Sequence, residues 1–237
     1  MERIFGRNVS PPDYRDFNLK EFIPRGALGT LAQEKAWDFP QESLDQGSTP
    51  HCVGFAMANF GINLPVFTPY TNEAGHKFYY KCKKIDGDPK GEDGTTIRSA
   101  AKALREQGII TAYAFAYDIN MIKWWLLNKG PLIVGTLWTE GMMVPDSNNM
   151  IHPTGMKLGG HGYVINEWDK WELGERIGIQ NSWGESWGIN GKAYISVEDF
   201  TKLFMYDGEA MTAVELENHV KKPCWLVTAL RNAILRL

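Results

Sequence analysis

The distribution of apolar residues changes near residue 130, and this change limits the folds that the chain can adopt. Before that point, apolar positions recur with helical spacing between glycine- and proline-containing breaks. They predict four helices, at residues 52–64, 72–84, 95–107 and 119–128. After that point, short runs rich in β-branched residues predict strands at residues 132–137, 162–168, 176–180, 193–197 and 211–216. Helices followed by strands favour an α+β fold with a helical lobe and a β-rich lobe.

The composition excludes several classes of function. The 237 residues carry a net charge of -3, with basic and acidic residues interspersed, so no nucleic-acid partner is expected. No apolar run approaches the roughly 18 residues of a membrane span, and the first residues lack the apolar core of a signal peptide. The three cysteines, Cys52, Cys82 and Cys224, are an odd number without close pairs, which favours a reducing compartment over a disulfide framework.

Cys52 has the context of a reactive thiol. It is predicted to begin a helix, where the helix dipole favours the thiolate, the nucleophilic form of cysteine. His161 lies between glycines just before a strand, so a substrate backbone could approach a rigidly held imidazole. Asn181 directly follows the next predicted strand, and its amide could accept a hydrogen bond from the imidazole without adding charge.

Two further features complete this chemistry. Gln46, six residues before Cys52 in a small-residue loop, could join the Cys52 backbone N–H in stabilising an oxyanion. Trp183 and Trp187 could shield the predicted hydrogen bond between His161 and Asn181 from water, which strengthens it.

Four segments of the sequence resemble papain-like (C1) cysteine peptidases. Residues 45–56 resemble the active-site segment of that family, residues 159–164 the histidine segment, and residues 179–191 the asparagine segment. Residues 93–100 resemble the loop and helix that border the substrate cleft. The order Gln46, Cys52, His161, Asn181 is also that of the family, and the resemblance extends over about residues 11–216.

The resemblance implies a two-lobed papain-like fold with the active site in the cleft between the lobes. It implies a cysteine peptidase that hydrolyses peptide bonds through a thiolate–imidazolium pair and an acyl-enzyme, with a peptide or protein substrate and no metal or cofactor. Predicted substrate-binding residues are Gly94, Thr95, Gly160 and Trp183, with Thr95 replacing a glycine of the family pattern.

The resemblance also suggests a subtype and domain boundaries. Residues 11–17 are similar to the opening of bacterial members without a long propeptide, so a bacterial or phage origin and a cytoplasmic or virion-associated location are expected. We therefore predict one domain over residues 1–216. It would consist of an N-terminal segment to residue 36, a helical lobe over about 37–130 and a β lobe over about 131–216. The N-terminal segment is not expected to be a zymogen segment. We predict that residues 217–237 form an amphipathic helical tail with basic flanks, which could dock on its own domain, on a partner or on a membrane surface.

Other interpretations of these residues stay open. Cys82 and Cys224 are predicted to be inert packing residues, and His51 to be non-catalytic because neighbours at a helix start point in different directions. The chain could be a papain-fold virion, scaffold or binding protein whose cleft is blocked by the N-terminal segment or the tail. It could also be a cell-wall peptide amidase with the same chemistry and different subsites.

Overall fold

The structure, a computed structural model, describes residues 2–27, 34–65, 67–88 and 93–214. Within these ranges the helices are α1 (Cys52–Ile62), α2 (Asn72–Ile85), α3 (Ile97–Glu106), α4 (Ile119–Asn128) and α5 (Val197–Asp207). The strands are β1 (Arg7–Asn8), β2 (Phe17–Asn18), β3 (Lys35–Ala36), β4 (Thr95–Thr96), β5 (Ala112–Ala116), β6 (Leu132–Thr139), β7 (Lys157–Trp171), β8 (Gly174–Gln180), β9 (Lys192–Ser196) and β10 (Glu209–Val214). Short 3-10 helices occur at Leu19–Phe22 and Glu140–Met142.

The helical lobe is built around α1. Every residue of this helix is buried except Phe60, which is partly buried, because its small and apolar side chains are enclosed by α2, α3 and the sheet. The amphipathic helix α3 begins at Thr96, whose side chain accepts a hydrogen bond from the Ser99 N–H and so caps the helix. Its apolar face, including Ile97 and Leu104, joins the same core.

The β lobe is a mainly antiparallel sheet with the strand order β2-β5-β10-β6-β7-β8-β9, and β3 adds to β7. Alternate residues of β7 face opposite sides of this sheet: Val164 enters the core of the helical lobe, whereas Tyr163 and Ile165 enter the core of the β lobe. A single sheet therefore separates two hydrophobic cores.

The register of β7 and β8 brings two distant segments to one edge of the sheet. Val164 pairs with Gln180, and the strands are antiparallel. The residues that precede Val164 therefore lie beside the residues that follow Gln180, which puts His161 and Asn181 next to each other.

The predicted α+β architecture with two lobes is confirmed. The sequence interpretation missed β5, whose alanines carry little strand signal, and α5, which Ser196 caps through a hydrogen bond from the Asp199 N–H. The predicted strand at 211–216 is β10, which starts earlier, at Glu209, and is described to Val214. The predicted tail over residues 217–237 lies outside the described residues.

Candidate active site

Cys52 is the first residue of α1, at the boundary between the lobes. Its thiol lies near the unpaired backbone N–H groups of the first helical turn, where the helix dipole favours negative charge. The backbone N–H groups of Gly162, Gly6 and Val53 lie near the sulfur and act to lower the pKa of the thiol, which favours the thiolate. The geometry is therefore that of a thiol that can act as a nucleophile once water or substrate reaches it.

His161 and Asn181 form the hydrogen bond that the sequence suggested. The His161 Nε2 lies 2.8 Å from the Asn181 Oδ1, and both residues are fully buried. The same Oδ1 accepts a hydrogen bond from the Ser182 N–H, so it is an acceptor and the imidazole proton belongs on Nε2. The His161 Nδ1 is then the basic nitrogen, and it has no hydrogen-bond partner within the described part of the chain.

Aromatic rings enclose this pair. The imidazole of His161 lies 4.7 Å from the ring centroid of Trp138 and 5.1 Å from that of Trp183. Trp187 packs on Trp183 at 5.7 Å, one layer further out. The rings exclude water from the hydrogen bond between His161 and Asn181 and hold the imidazole in one orientation.

Gln46 is held by hydrogen bonds at both ends of its amide. The Oε1 accepts a hydrogen bond from the Ser182 Oγ at 2.8 Å, which fixes the orientation of the amide. The Nε2 donates to the Thr49 carbonyl at 2.7 Å and to the Ile4 carbonyl at 3.3 Å. The amide N–H that the sequence suggested as an oxyanion donor therefore already contacts a carbonyl oxygen of the N-terminal segment.

Residues 2–9, which we call the strap, cross the cleft between the lobes. On one side, the Arg3 guanidinium contacts the Asp45 carboxylate at 2.5 Å and the Trp183 carbonyl at 2.9 Å. In the middle, the Phe5 ring lies edge-on to His161 at 5.8 Å. On the other side, β1 pairs in parallel with β4. The strap therefore covers both reactive groups of the site.

The contacts of Gly6 leave no space between the strap and the active-site helix. Its N–H reaches the Cys52 sulfur and its carbonyl accepts a hydrogen bond from the Thr95 N–H at 2.9 Å. A Cβ atom at this position would lie 1.8 Å from the Pro50 carbonyl oxygen. Only glycine allows the strap to approach this closely.

All four residues that the sequence predicts as substrate-binding residues contact the strap. Thr95 and Trp183 make the hydrogen bonds just described. Gly94 and Gly160 lie directly against the backbone of the strap. A Cβ atom added at Gly94 would lie 2.9 Å from the Gly6 carbonyl oxygen, and one added at Gly160 would lie 2.1 Å from the Arg7 carbonyl oxygen. The strap thus occupies the surface that was predicted for substrate.

The sequence interpretation included residues 1–36 in the folded domain and raised a cleft blocked by the N-terminal segment only as one alternative, without indicating which residues would cross it. The contacts of the strap join residues roughly 40 to 200 positions apart, for example Arg3 with Trp183 and Arg7 with Asp207. Local patterns carry no signal for such pairings. Glycine between Phe5 and Arg7 is the one local feature that fits a close approach of backbone.

Burial under the strap changes the protonation of the site. Burial lowers the pKa of His161 from 6.5 to about 4, although the hydrogen bond to Asn181 acts in the opposite direction. Burial also raises the pKa of the Cys52 thiol, and the backbone N–H groups offset this only in part. The thiolate–imidazolium pair predicted from the sequence is therefore disfavoured in the covered site, because excluding water penalises the charged form of each group.

The other candidate residues lie outside this arrangement. The His51 Nδ1 lies 2.7 Å from the His76 Nδ1, and its ring stacks on Tyr79. Burial and the neighbouring His76 lower the pKa of His51 to about 4. Cys82 is buried against the Met57 sulfur, and burial raises the pKa of its thiol.

Three expectations concern features other than the catalytic groups. Cys224 lies outside the described residues, so its predicted packing role stays a prediction. No group of metal-ligating side chains large enough to hold an ion occurs within residues 2–27, 34–65, 67–88 and 93–214. None of the helices in these ranges has the length and apolar character needed to cross a membrane.

No sequence profile of a known protein family matches the chain. The chain is 24% identical to an uncharacterized peptidase C1-like protein of Acanthamoeba polyphaga mimivirus, over 81% of this chain and 80% of the viral protein. Its structure is similar to that of xylellain, a cysteine protease from Xylella fastidiosa, with a TM-score of 0.69 and 20% identity over 91% of this chain and 99% of xylellain.

Two eukaryotic enzymes are also similar in structure. A procathepsin B of Trypanosoma congolense has a TM-score of 0.65 and 14% identity over 90% of this chain and 86% of its own. Bromelain of Ananas comosus, in complex with the inhibitor E64, has a TM-score of 0.59 and 15% identity over 78% of this chain and 100% of its own. The chain thus has the papain-like two-lobed fold, and the predicted resemblance to papain-like cysteine peptidases is confirmed.

Proposed function

We propose that the protein is a cysteine peptidase and that the described conformation is its covered, latent state. The observation that carries the proposal is the buried His161–Asn181 hydrogen bond. The residue after His161, Gly162, has its N–H near the sulfur of Cys52, which opens α1. The likeness to xylellain, procathepsin B and bromelain supports it. The proposed substrates are peptides or proteins, since amide bonds are what this constellation of groups can cleave.

The proposed reaction is acyl transfer. The His161 Nδ1 takes the Cys52 proton, and the thiolate attacks the carbonyl carbon of a substrate peptide bond. The Gln46 Nε2 and the Cys52 N–H stabilise the oxyanion that forms on the carbonyl oxygen. His161 returns its proton to the leaving amine as the C–N bond breaks, and an acyl-thioester remains on Cys52. Water, deprotonated by His161, then hydrolyses the thioester, while Asn181 keeps the imidazole oriented.

The contacts of the strap support a latent state in which the strap is not itself cleaved. The backbone group of the strap that reaches the Cys52 sulfur is the Gly6 N–H. A nucleophile needs the electrophilic carbonyl carbon at that position, not an amide hydrogen. The strap therefore blocks the sulfur without presenting a bond for attack, and it must move before substrate can bind.

The alternatives drawn from the sequence have less support. An occupied cleft does not distinguish a binding protein from a latent peptidase, because both have a covered site. The hydrogen bonds that orient Gln46 and that join His161 to Asn181 favour the peptidase, since a binding role requires neither of them. A cell-wall peptide amidase would use the same catalytic groups, and we treat it as a peptidase of narrower substrate range.

The remaining predictions also stay proposals. These are the single domain over residues 1–216, a cytoplasmic or virion-associated location and a bacterial or phage source. The net charge of -3 supports the absence of a nucleic-acid partner. Docking of the tail at residues 217–237 on its own domain or on a partner concerns residues that the structure does not describe.

The proposal is tested on full-length protein whose strap is displaced by Gly6→Ala, because the added methyl group would overlap the Pro50 carbonyl oxygen. Turnover of fluorogenic peptides and site-resolved iodoacetamide labelling are measured with this variant and with its Cys52→Ala and Asn181→Ala derivatives. We expect Cys52 to be labelled much faster than the buried Cys82, and turnover to vanish with Cys52→Ala. We expect Asn181→Ala to lower kcat by roughly 10- to 100-fold, the value of a hydrogen bond to a charged group. Absence of turnover, together with labelling of Cys52 no faster than that of Cys82, would refute the proposal.

A further inference from the structure

The side chain of Arg7 fills a closed pocket beside the reactive thiol. It is fully buried, and its backbone directly follows Gly6, whose N–H contacts the Cys52 sulfur. The guanidinium meets three acceptors: the Asp207 carboxylate at 2.9 Å, the Glu209 carboxylate at 2.8 Å and the Asp207 backbone carbonyl. The pocket therefore adjoins the part of the strap that covers the thiol.

The walls of the pocket are shaped for a long, slender side chain. At Gly135 of β6, an added Cβ would lie 2.7 Å from the Arg7 Nε and 2.9 Å from Ile97. At Gly160 of β7, an added Cβ would lie 3.1 Å from the Arg7 Cδ. The two glycines leave a slot between neighbouring strands that the Arg7 side chain occupies.

The carboxylates at the end of the slot are held by the fold itself. Asp207 is the last residue of α5, and its Oδ1 accepts a hydrogen bond from the Leu137 N–H of β6 at 3.1 Å. Glu209 begins β10, in the centre of the sheet. The backbone positions of Asp207 and Glu209 are set by α5 and β10 and not by the strap, and the Glu209 carboxylate also accepts a hydrogen bond from the Ser10 N–H, just after the strap, at 3.1 Å. Both carboxylates therefore remain near the end of the slot when the strap leaves. The nearby cation Arg98 forms its ion pair with Asp16 at 2.5 Å and acts on Glu209 only at longer range.

We propose that this pocket selects a cationic side chain of the substrate, with arginine preferred, and that Arg7 occupies it in the latent state. The inference rests on the proposed peptidase function. An empty slot leaves two carboxylates of like charge in a partly buried site, which is unfavourable until a cation enters. Arginine is preferred to lysine because a planar guanidinium can meet three acceptors at once, whereas an ammonium is a point charge.

The test uses citrulline, the neutral analogue of arginine with nearly the same shape. Fluorescein-labelled peptides that differ only in one arginine, lysine, citrulline or leucine are titrated against full-length Cys52→Ala/Arg7→Gln protein by fluorescence anisotropy. The Arg7→Gln change removes the chain's own cation from the slot, and Cys52→Ala prevents cleavage. We expect arginine to bind about 10- to 100-fold more tightly than citrulline, as for hydrogen bonds to charged groups, with lysine between them.

Neutralising the acids provides the matched control. Asp207→Asn keeps an oxygen for the Leu137 N–H, and Glu209→Gln keeps the length of the side chain, so the double change removes charge with little change of shape. We expect it to reduce the preference for arginine over citrulline to less than about threefold. If thermal unfolding shows that the double variant does not fold, the single Glu209→Gln variant decides, with an intermediate preference expected.

The outcomes separate this inference from the proposed function. Equal binding of arginine and citrulline, or a preference that persists after neutralisation, overturns the inference. The same peptides, supplied as fluorogenic substrates to the Arg7→Gln single variant, report on catalysis. Tighter binding of arginine peptides without any turnover would support the arginine-selective pocket and contradict the peptidase function. Turnover without a preference for arginine would support the peptidase function and contradict the pocket.

Discussion

Replacing Arg7 by Gln should release the strap and expose Cys52. In the covered state, Arg7 is the anchor of the strap on the side of the β lobe, with ion pairs to Asp207 and Glu209 and a fully buried side chain. Glutamine is uncharged, so the covered state of the variant would retain two partly buried carboxylates without their cation. The open state of the variant carries less of this penalty because more water reaches the acids.

The magnitude follows from the burial of the three groups. Breaking a buried ion pair by removing one partner typically costs about 3–5 kcal/mol. Asp207 and Glu209 keep 22% and 12% of their side-chain surface exposed, so water partly compensates them. We therefore expect a cost of about 2–3 kcal/mol, which raises the open fraction by about 30- to 150-fold until the strap is fully released.

The assay is the rate of iodoacetamide labelling of Cys52 in full-length protein near neutral pH, resolved by mass spectrometry. Cys82 serves as an internal reference because it is buried in the helical lobe and packs on Met57. Arg15→Gln is the matched control, since it removes the same charge from an exposed pair with Asp13 near the strap. This control should label at close to the wild-type rate, because exposed ion pairs contribute little.

Two results would contradict this expectation. If Arg7→Gln changes the labelling rate of Cys52 by less than about threefold, the ion pairs do not hold the strap in place. If Cys82 is labelled faster in parallel with Cys52, the substitution has loosened the whole helical lobe rather than opened the cleft.

Three further predictions concern the same site. Gly6→Ala should raise Cys52 labelling and peptide turnover without any change of charge, because a Cβ would lie 1.8 Å from the Pro50 carbonyl oxygen; an unchanged rate would show that the strap tolerates the methyl group. Acid should also open the cleft, because the covered state keeps His161 neutral: burial lowers the pKa of His161 from 6.5 to about 4. The stability that the neutral imidazole gives to the covered state is fully present above pH 6.5 and is lost as the pH falls towards about 4. The labelling rate of the wild type, divided by that of Gly6→Ala at each pH, should therefore rise as the pH falls through this interval, and a constant ratio would contradict the assignment. Gln46→Ala in the Gly6→Ala background should lower kcat for a fluorogenic peptide by about 10²–10³-fold, and a change in KM alone would exclude an oxyanion role.

The order of helices and strands could be predicted because local patterns carry it. The helix at 119–128 and the strand at 176–180 coincide with α4 and with most of β8, since apolar periodicity reports which face of an element is buried. The alanine-rich β5 was missed because alanine has little preference for strands, and only its place between β2 and β10 makes it one.

The chemical identity of the site was also accessible from the sequence. Cys52, His161 and Asn181 stand in segments whose small flanking residues and position at helix or strand ends are local properties. The hydrogen bond between His161 and Asn181 depends on the register of β7 and β8, which places the His161 Nε2 2.8 Å from the Asn181 Oδ1. The sequence suggested this partnership, and the sheet gives it its geometry.

The amino-acid sequence alone was enough to predict the class of fold and the set of groups that can carry out acyl transfer, because short-range periodicity and the residue types at element ends encode both. The folded chain was needed to learn that residues 2–9 cover those groups, that burial keeps Cys52 and His161 uncharged, and that Arg7 meets Asp207 and Glu209. These three effects arise from contacts between residues that are distant in the chain. Such contacts set the exclusion of water and the pairing of charges, and no local pattern specifies them.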